Sequence, residues 1–166
     1  MKTKPFRFLL LVSLLLGMLL VGCEKEDDRT INQVYVVLLS YMDTDNHNTD
    51  IYKIDLLNKE FSISEVNLSD GGITSAKDAE YTLVSILGDD EIAKFRKSAK
   101  KYSFAKWEEH YANPSIADGG GWQIMIVFSN GDTLNTSGSN AFPDTWDNMK
   151  EAFKVLLGQD ILWSSY

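Results

Sequence analysis

The stretch from Trp122 to Ser137 constrains this chain more than any other. Trp122, Ile124, Ile126 and Phe128 alternate with Gln123, Met125, Val127 and Ser129. Successive side chains of a strand point to opposite faces, so this period of two predicts a strand with one strongly apolar side. Asn130-Gly131 follows, the pair that a two-residue type I′ hairpin turn favours, and Asp132–Ser137 returns. In that register Phe128 faces Thr133, Val127 faces Leu134, Ile126 faces Asn135 and Ile124 faces Ser137. The returning strand is polar, which predicts a sheet edge open to a partner strand at Thr133–Ser137. A sheet with one apolar face must be covered, and the rest of the chain supplies the cover.

Two segments have helical spacing. Gly88-Asp89-Asp90-Glu91 places acids where a helix N-terminus favours them, and Ile92, Phe95, Ala99 and Tyr102 then form one face. Arg96, Lys97, Lys100 and Lys101 read as the solvated side and C-terminal end of that helix. Trp146, Met149, Phe153 and Leu156 form a second stripe, with Asp144 as the expected N-cap and Gly158 as the stop. Between them Ser103 is expected to cap a short helical turn on which Trp107 and Tyr111 are neighbours at i, i+4, ending before Asn113-Pro114. Ile161-Leu162-Trp163 is a last apolar segment expected to pack on the domain.

The remaining apolar segments read as strands. Gln33–Tyr41 is β-branched, aromatic and apolar on both faces, which suits the middle of a sheet. Asp50–Asp55 and Glu60–Val66 flank Leu56-Leu57-Asn58-Lys59 as a hairpin. Loops are expected at Leu68–Gly72 and from Ile73 toward Glu80, with a strand over Tyr81–Leu87; the alternative is a helix beginning at Ser75–Glu80. The reading is an α+β domain: an antiparallel sheet with two or three helices packed on one face. In the linker Gly138–Pro143, Gly138 is expected to take a positive φ, Asn140 to make a local turn, and Phe142-Pro143 to staple the entry of the last helix.

The N-terminus is organised differently. Residues 1–8 carry three positive charges and no acids, and residues 9–21 are apolar apart from Ser13 and Gly17. A basic start, a short apolar run and small residues at its end are the parts of a secretory signal. Leu20-Val21-Gly22-Cys23 resembles the bacterial lipobox. That resemblance implies cleavage after Gly22, a diacylglycerol thioether on Cys23 and acylation of its amine. Lys25, Glu26, Asp27 and Asp28 then resemble the lipoprotein export signal of Bacteroidota, which implies an outer-membrane protein facing the cell exterior. The expected organisation is a lipoprotein signal peptide at 1–22, a lipidated cysteine and acidic tether at 23–32, and one globular domain at 33–166.

Cys23 is the single cysteine, so no disulfide can form within the monomer and no second thiol is left for catalysis. Removing residues 1–22 leaves 144 residues; with Lys2, Lys4 and Arg7 gone, the formal charge moves from −8 to −11. An acidic chain of this kind is a poor match for nucleic acid. Two histidines, His47 and His110, exclude a histidine-rich metal site. Acids at alternate positions make Asp43, Asp45 and Asp50 weak calcium candidates, but the loop has His47 and Asn48 where a calcium loop needs an acid or amide and then a glycine. His110 beside Glu108 and Glu109 is the nearest approach to an acid–base group.

Trp107, Tyr111, the Asp118-Gly119 loop, the Trp122 strand, Asn130-Gly131 and Gly138–Pro143 together resemble a recurring uncharacterised bacterial domain. That resemblance covers about residues 88–157 and implies a fold, not an activity. The expected site is a small polar cleft lined by Trp122, Ser139, Asn140 and Trp146, binding a protein, peptide or glycan. No cofactor signature, nucleophile elbow or phosphate loop is present in the sequence. The expectation is therefore a non-catalytic binding or accessory module held by membrane lipid. Two alternatives stand beside it: a small hydrolase using carboxylates such as Asp118, Asp132 or Asp144, and a structural stabiliser of an envelope complex.

Overall fold

A computed structural model describes residues 29–40, 48–67, 72–116 and 120–162. Seven strands form one open sheet: β1 (Ile31–Ser40), β2 (Asn48–Asp55), β3 (Glu60–Asn67), β4 (Thr82–Ile86), β5 (His110–Ala112), β6 (Gly120–Phe128) and β7 (Thr133–Ser139). Their spatial order is β4-β3-β2-β1-β6-β7-β5, and every pairing is antiparallel except the short parallel one between β5 and β7. Helices α1 (Asp89–Lys101) and α2 (Trp146–Leu157) pack together on one face. The α+β architecture expected from the sequence is the one observed.

The largest core lies between that face and the two helices. Val34 and Val36 of β1, Ile54 of β2, Phe61 of β3 and Ile124 and Ile126 of β6 meet Phe95 of α1 and Met149 and Phe153 of α2, all of them buried. Phe95 and Phe153 stack with ring centroids 5.2 Å apart, which joins the helices to each other. Gly158 ends α2 in the left-handed conformation (φ 71°), its N–H bonded to Lys154 O, as the sequence predicts. Thr145, not Asp144, occupies the N-cap, and Asp144 is exposed in the turn before it.

The first strand begins at Ile31, inside the segment read as tether. Ile31 is buried against Phe128, and Arg96 of α1 holds its carbonyl. Among the described residues the opposite face of the sheet is covered only in part. A 3₁₀ helix, Gly72–Asp78, lies across it and places Ile73 and Ala76 on Tyr35, Val37, Ile51 and Met125.

Three expectations are corrected. The segment around Trp107 and Tyr111 is not helical: after a 3₁₀ turn at Phe104–Lys106 the chain runs extended into β5. Ser103, left-handed at φ 54°, reverses the chain, and the indole Nε1 of Trp107 donates to Thr145 Oγ1 at 2.8 Å across 38 residues. Next, the β6–β7 connection is one residue longer than a type I′ turn. Gly131 N–H bonds Phe128 O and Phe128 N–H bonds Asp132 O, so Ser129-Asn130-Gly131 is a three-residue loop with Gly131 at φ 88°. Ile126 therefore faces Leu134, apolar against apolar, and Ile124 faces Thr136. Finally, β7 is not the edge along its whole length, because β5 covers Ser137–Ser139.

Candidate functional site

The cleft expected at Trp122, Ser139, Asn140 and Trp146 does not exist in that form. Trp122 and Trp146 are each 1% exposed, with ring centroids 4.7 Å apart, and Phe142 and Trp107 close on them. Trp122 Nε1 donates to Ala141 O at 2.9 Å, so even the polar edge of its indole is engaged within the protein. These rings form the end of the core under the 138–143 linker. Ser139 lies on β7 beside Ala112, and Asn140, at φ 51°, turns the chain; its N–H bonds Gly120 O and its Nδ2 donates to Ile116 O. Gly138 owes its identity to Trp122 and not to a positive φ: a Cβ there would overlap the indole and the Ala141 carbonyl.

A cleft among the described residues lies on the other face. It has a volume of about 440 Å³ and runs along β6 and β7, where Gln123, Thr133, Asn135 and Ser137 are set side by side. Ladder register makes this arrangement: Gln123 pairs with Ser137, Met125 with Asn135 and Val127 with Thr133, and cross-strand partners share a face. Ile73 supplies the apolar wall from the 3₁₀ helix, and Glu109, just before β5, stands at the other side.

Each wall has an identifiable fastening. Ile73 N–H donates to Gln123 Oε1 at 3.1 Å, which fixes the orientation of the amide and leaves its NH₂ end available. The Tyr81 hydroxyl donates to Ala76 O at 2.6 Å, and its ring sits on Tyr35 with centroids 6.3 Å apart. Burial, and then the neighbouring Tyr35, push the Tyr81 hydroxyl well above its ordinary pKa, so it remains a donor across the whole neutral range. On the far side Glu109 O accepts from Ser137 N–H at 3.0 Å, and Thr136 Oγ1 donates to Glu108 O at 2.6 Å. The walls are thus tied to the floor by hydrogen bonds from both directions.

His110 Nδ1 lies 3.0 Å from Ser137 Oγ, a contact that sequence spacing gave no means of finding. That is nucleophile–base distance, but the hydroxyl also donates toward Glu109 O at 3.3 Å, and the Ser137 N–H is already bound to the same carbonyl. An activated serine needs its base oriented by a third group and its oxyanion met by free donors. Neither is present among the described contacts.

The other candidates are placed as follows. Asp55 is buried, 1% exposed, and works on its own turn: it accepts from the N–H groups of Leu57 and Asn58 and from the side chains of Gln33 and Asn58. Burial raises its pKa, but these four bonds outweigh burial and hold the carboxyl below its ordinary value. Asp132 is held in the β6–β7 loop by Asn130 and lies 3.6 Å from Arg29. Asp50 is an exposed residue of β2 opposite Glu65. Asp43, Asp45, Asp118, Cys23 and Lys25–Asp28 lie outside the described residues. Among the described residues no cluster of His, Cys, Asp and Glu could hold a metal, and no helix is long and apolar enough to cross a membrane. Set against known proteins, the chain matches no family model, no curated protein and no solved structure.

Proposed function

We propose that this chain is a lipid-anchored envelope protein whose domain is a non-catalytic binding module, with its ligand seated on the β6–β7 shelf. The observation that carries the binding reading is the cleft itself: amide and hydroxyl side chains in ladder register along its floor, Glu109 at one side and Ile73 as an apolar wall. Such a surface exchanges hydrogen bonds with a neutral, hydroxyl-rich ligand, and a glycan segment fits that description better than an apolar molecule.

The anchor rests on Cys23 and its flanks. Residues 24–30 separate that cysteine from the start of β1. At roughly 3.5 Å per extended residue this tether holds the domain within about 25 Å of its lipid. Two or more acyl chains make such an anchor stable, since each buried methylene contributes about 0.8 kcal/mol.

The binding test is a titration of the full chain in detergent with a panel of neutral oligosaccharides, followed by the side-chain amide resonances of Gln123 and Asn135. The expected result is saturable shifts at these two residues, lost in Asn135→Ala. Saturable binding that Asn135→Ala and Gln123→Ala leave unchanged would remove the shelf from the reading. For the anchor, incorporation of labelled palmitate is expected in the wild type and not in Cys23→Ala.

A further inference from the structure

The two edges of the sheet are finished differently. At the β7 side the three-residue β5 and its flanks cover Ser137–Ser139, Glu109 O accepting from the Ser137 N–H and Asn113 N–H donating to the Ser139 carbonyl, and β5 is itself outermost there. At the other edge, β4 is the outermost strand, and no described element pairs with its outer side. Proteins guard such edges with charged residues, proline or a covering segment. Thr82-Leu83-Val84-Ser85-Ile86 contains neither a charge nor a proline.

All five residues of β4 are exposed, and the apolar ones are far from marginal: Leu83 is 52%, Val84 50% and Ile86 68% exposed. Leu83 pairs with Ser62 and Ile86 with Glu60, so both lie on one face of the sheet. Leu57, 65% exposed, lies in the β2–β3 turn, which is tied to the end of β4 by Leu87 N–H on Lys59 O. That bond also fixes polarity along the strand. Leu87 turns its backbone inward, so Ile86 turns its N–H and C=O outward, where a further strand would bond.

Charge then selects the occupant. Asp78 and Glu80 precede β4, Asp89, Asp90 and Glu91 follow it, and Glu60 lies beside it. Of the nearby lysines, Lys59 is held by Asp89 at 2.8 Å, Lys94 lies 3.7 Å from Glu91 and Lys77 precedes Asp78, so the six acids around the strand outnumber the three lysines. Antiparallel pairing of β4 with a second copy would bring Glu80 of one molecule toward Asp89 and Asp90 of the other, like charge against like. A basic segment meets both acidic ends favourably.

We propose that β4 is a docking edge, at which an extended segment of a partner protein, apolar at alternate positions and flanked by lysine or arginine, adds as an eighth strand. Main-chain hydrogen bonds to the outward groups of β4 hold it, Leu83 and Ile86 receive its apolar side chains, and the acids at the two ends set its specificity.

The probe is a synthetic fluorescent peptide that alternates valine and threonine between lysine pairs, titrated with the full chain in detergent. Two control peptides share its length: one N-methylated at alternate residues, which removes the ladder donors, and one flanked by glutamates. Binding is expected to weaken at least tenfold for both controls, and also for Ile86→Pro and Ile86→Lys, the second of which leaves the backbone donor in place. Hydrogen exchange of the Ile86 amide should slow in the complex. Equal binding of the N-methylated peptide, or binding unaffected by both Ile86 variants, would overturn the proposal. So would a concentration-dependent dimer in sedimentation that Ile86→Lys abolishes, since the occupant would then be a second copy.

Discussion

A single methyl group at position 138 tests the packing at the end of the core directly. Gly138 pairs with Trp122 across β6 and β7, and the indole lies where a Cβ would stand, with the Ala141 carbonyl oxygen on its other side. In Gly138→Ala the indole must shift, yet Trp146, Trp107, Tyr111 and Phe142 surround it with ring centroids 4.7–6.4 Å away. Overpacking of this kind costs about 1–3 kcal/mol. A shifted indole also loses its 2.9 Å bond to Ala141 O, and an orphaned buried donor costs about another 1–3 kcal/mol. Alanine returns roughly 0.4–1 kcal/mol by narrowing the unfolded ensemble, so the expected net loss is about 3 kcal/mol. For a domain of this size that lowers the melting temperature by about 10 °C, at roughly 2.1 cal/mol/K of unfolding entropy per residue. The assay is thermal unfolding of the full chain followed by tryptophan near-UV circular dichroism. Gly131→Ala is the control, since Gly131 has a positive φ and open space around it, and it should lose only about 1 kcal/mol. Adding Trp122→Phe should recover part of the Gly138→Ala loss beyond additivity, because phenylalanine lacks the indole nitrogen that the new methyl meets. A Gly138→Ala melt within about 3 °C of the wild type would refute the steric reasoning.

Three further outcomes follow from the fastenings. Asp55→Ala removes the acceptor of two backbone and two side-chain donors and should lower stability by about 2–3 kcal/mol in urea unfolding. The folded pKa of Asp55 lies below that of the unfolded chain, so its contribution is complete above about pH 4 and is lost as the pH falls through the folded value; Asp55→Asn should therefore flatten the acid limb of the stability profile. Tyr81→Phe deletes the bond to Ala76 O and should speed amide exchange at Ile73 and Ala76 while leaving α1 unchanged. Because folding raises the Tyr81 pKa, the wild type should hold its stability below about pH 10 and lose it as the pH rises further, less steeply in the variant. Trp107→Phe and Thr145→Val should each cost about 1–2 kcal/mol, and the double variant less than their sum, as removal of one shared hydrogen bond requires.

The sequence alone determined the elements whose side chains repeat with the local geometry of the backbone. Trp122 to Phe128 alternates with period two and is β6; Ile92, Phe95 and Ala99, and likewise Met149, Phe153 and Leu156, repeat at helical spacing and face the core. Gly158 was legible for the same reason, since a left-handed stop is a property of one residue. Gly138 was legible as an unusual position, but its reason lay in an indole from another strand. The segment from Trp107 to Tyr111 misled because its aromatic pair has helical spacing. What holds it extended are bonds to Thr145, Thr136 and Ser137, 28 to 38 residues away. The hairpin register differed by one residue, and opposing Ile126 to Leu134 on the buried face is a matter of packing, not of turn chemistry alone. The shelf and the bare edge at β4 were the least legible of all. Gln123, Asn135 and Glu109 become neighbours only through strand order and register, and Leu83 to Ile86 is exposed where no described strand lies beyond it. Periodicity records what a residue does within its own element; which elements meet, and which edge is left open, is decided by the free energy of the assembled core.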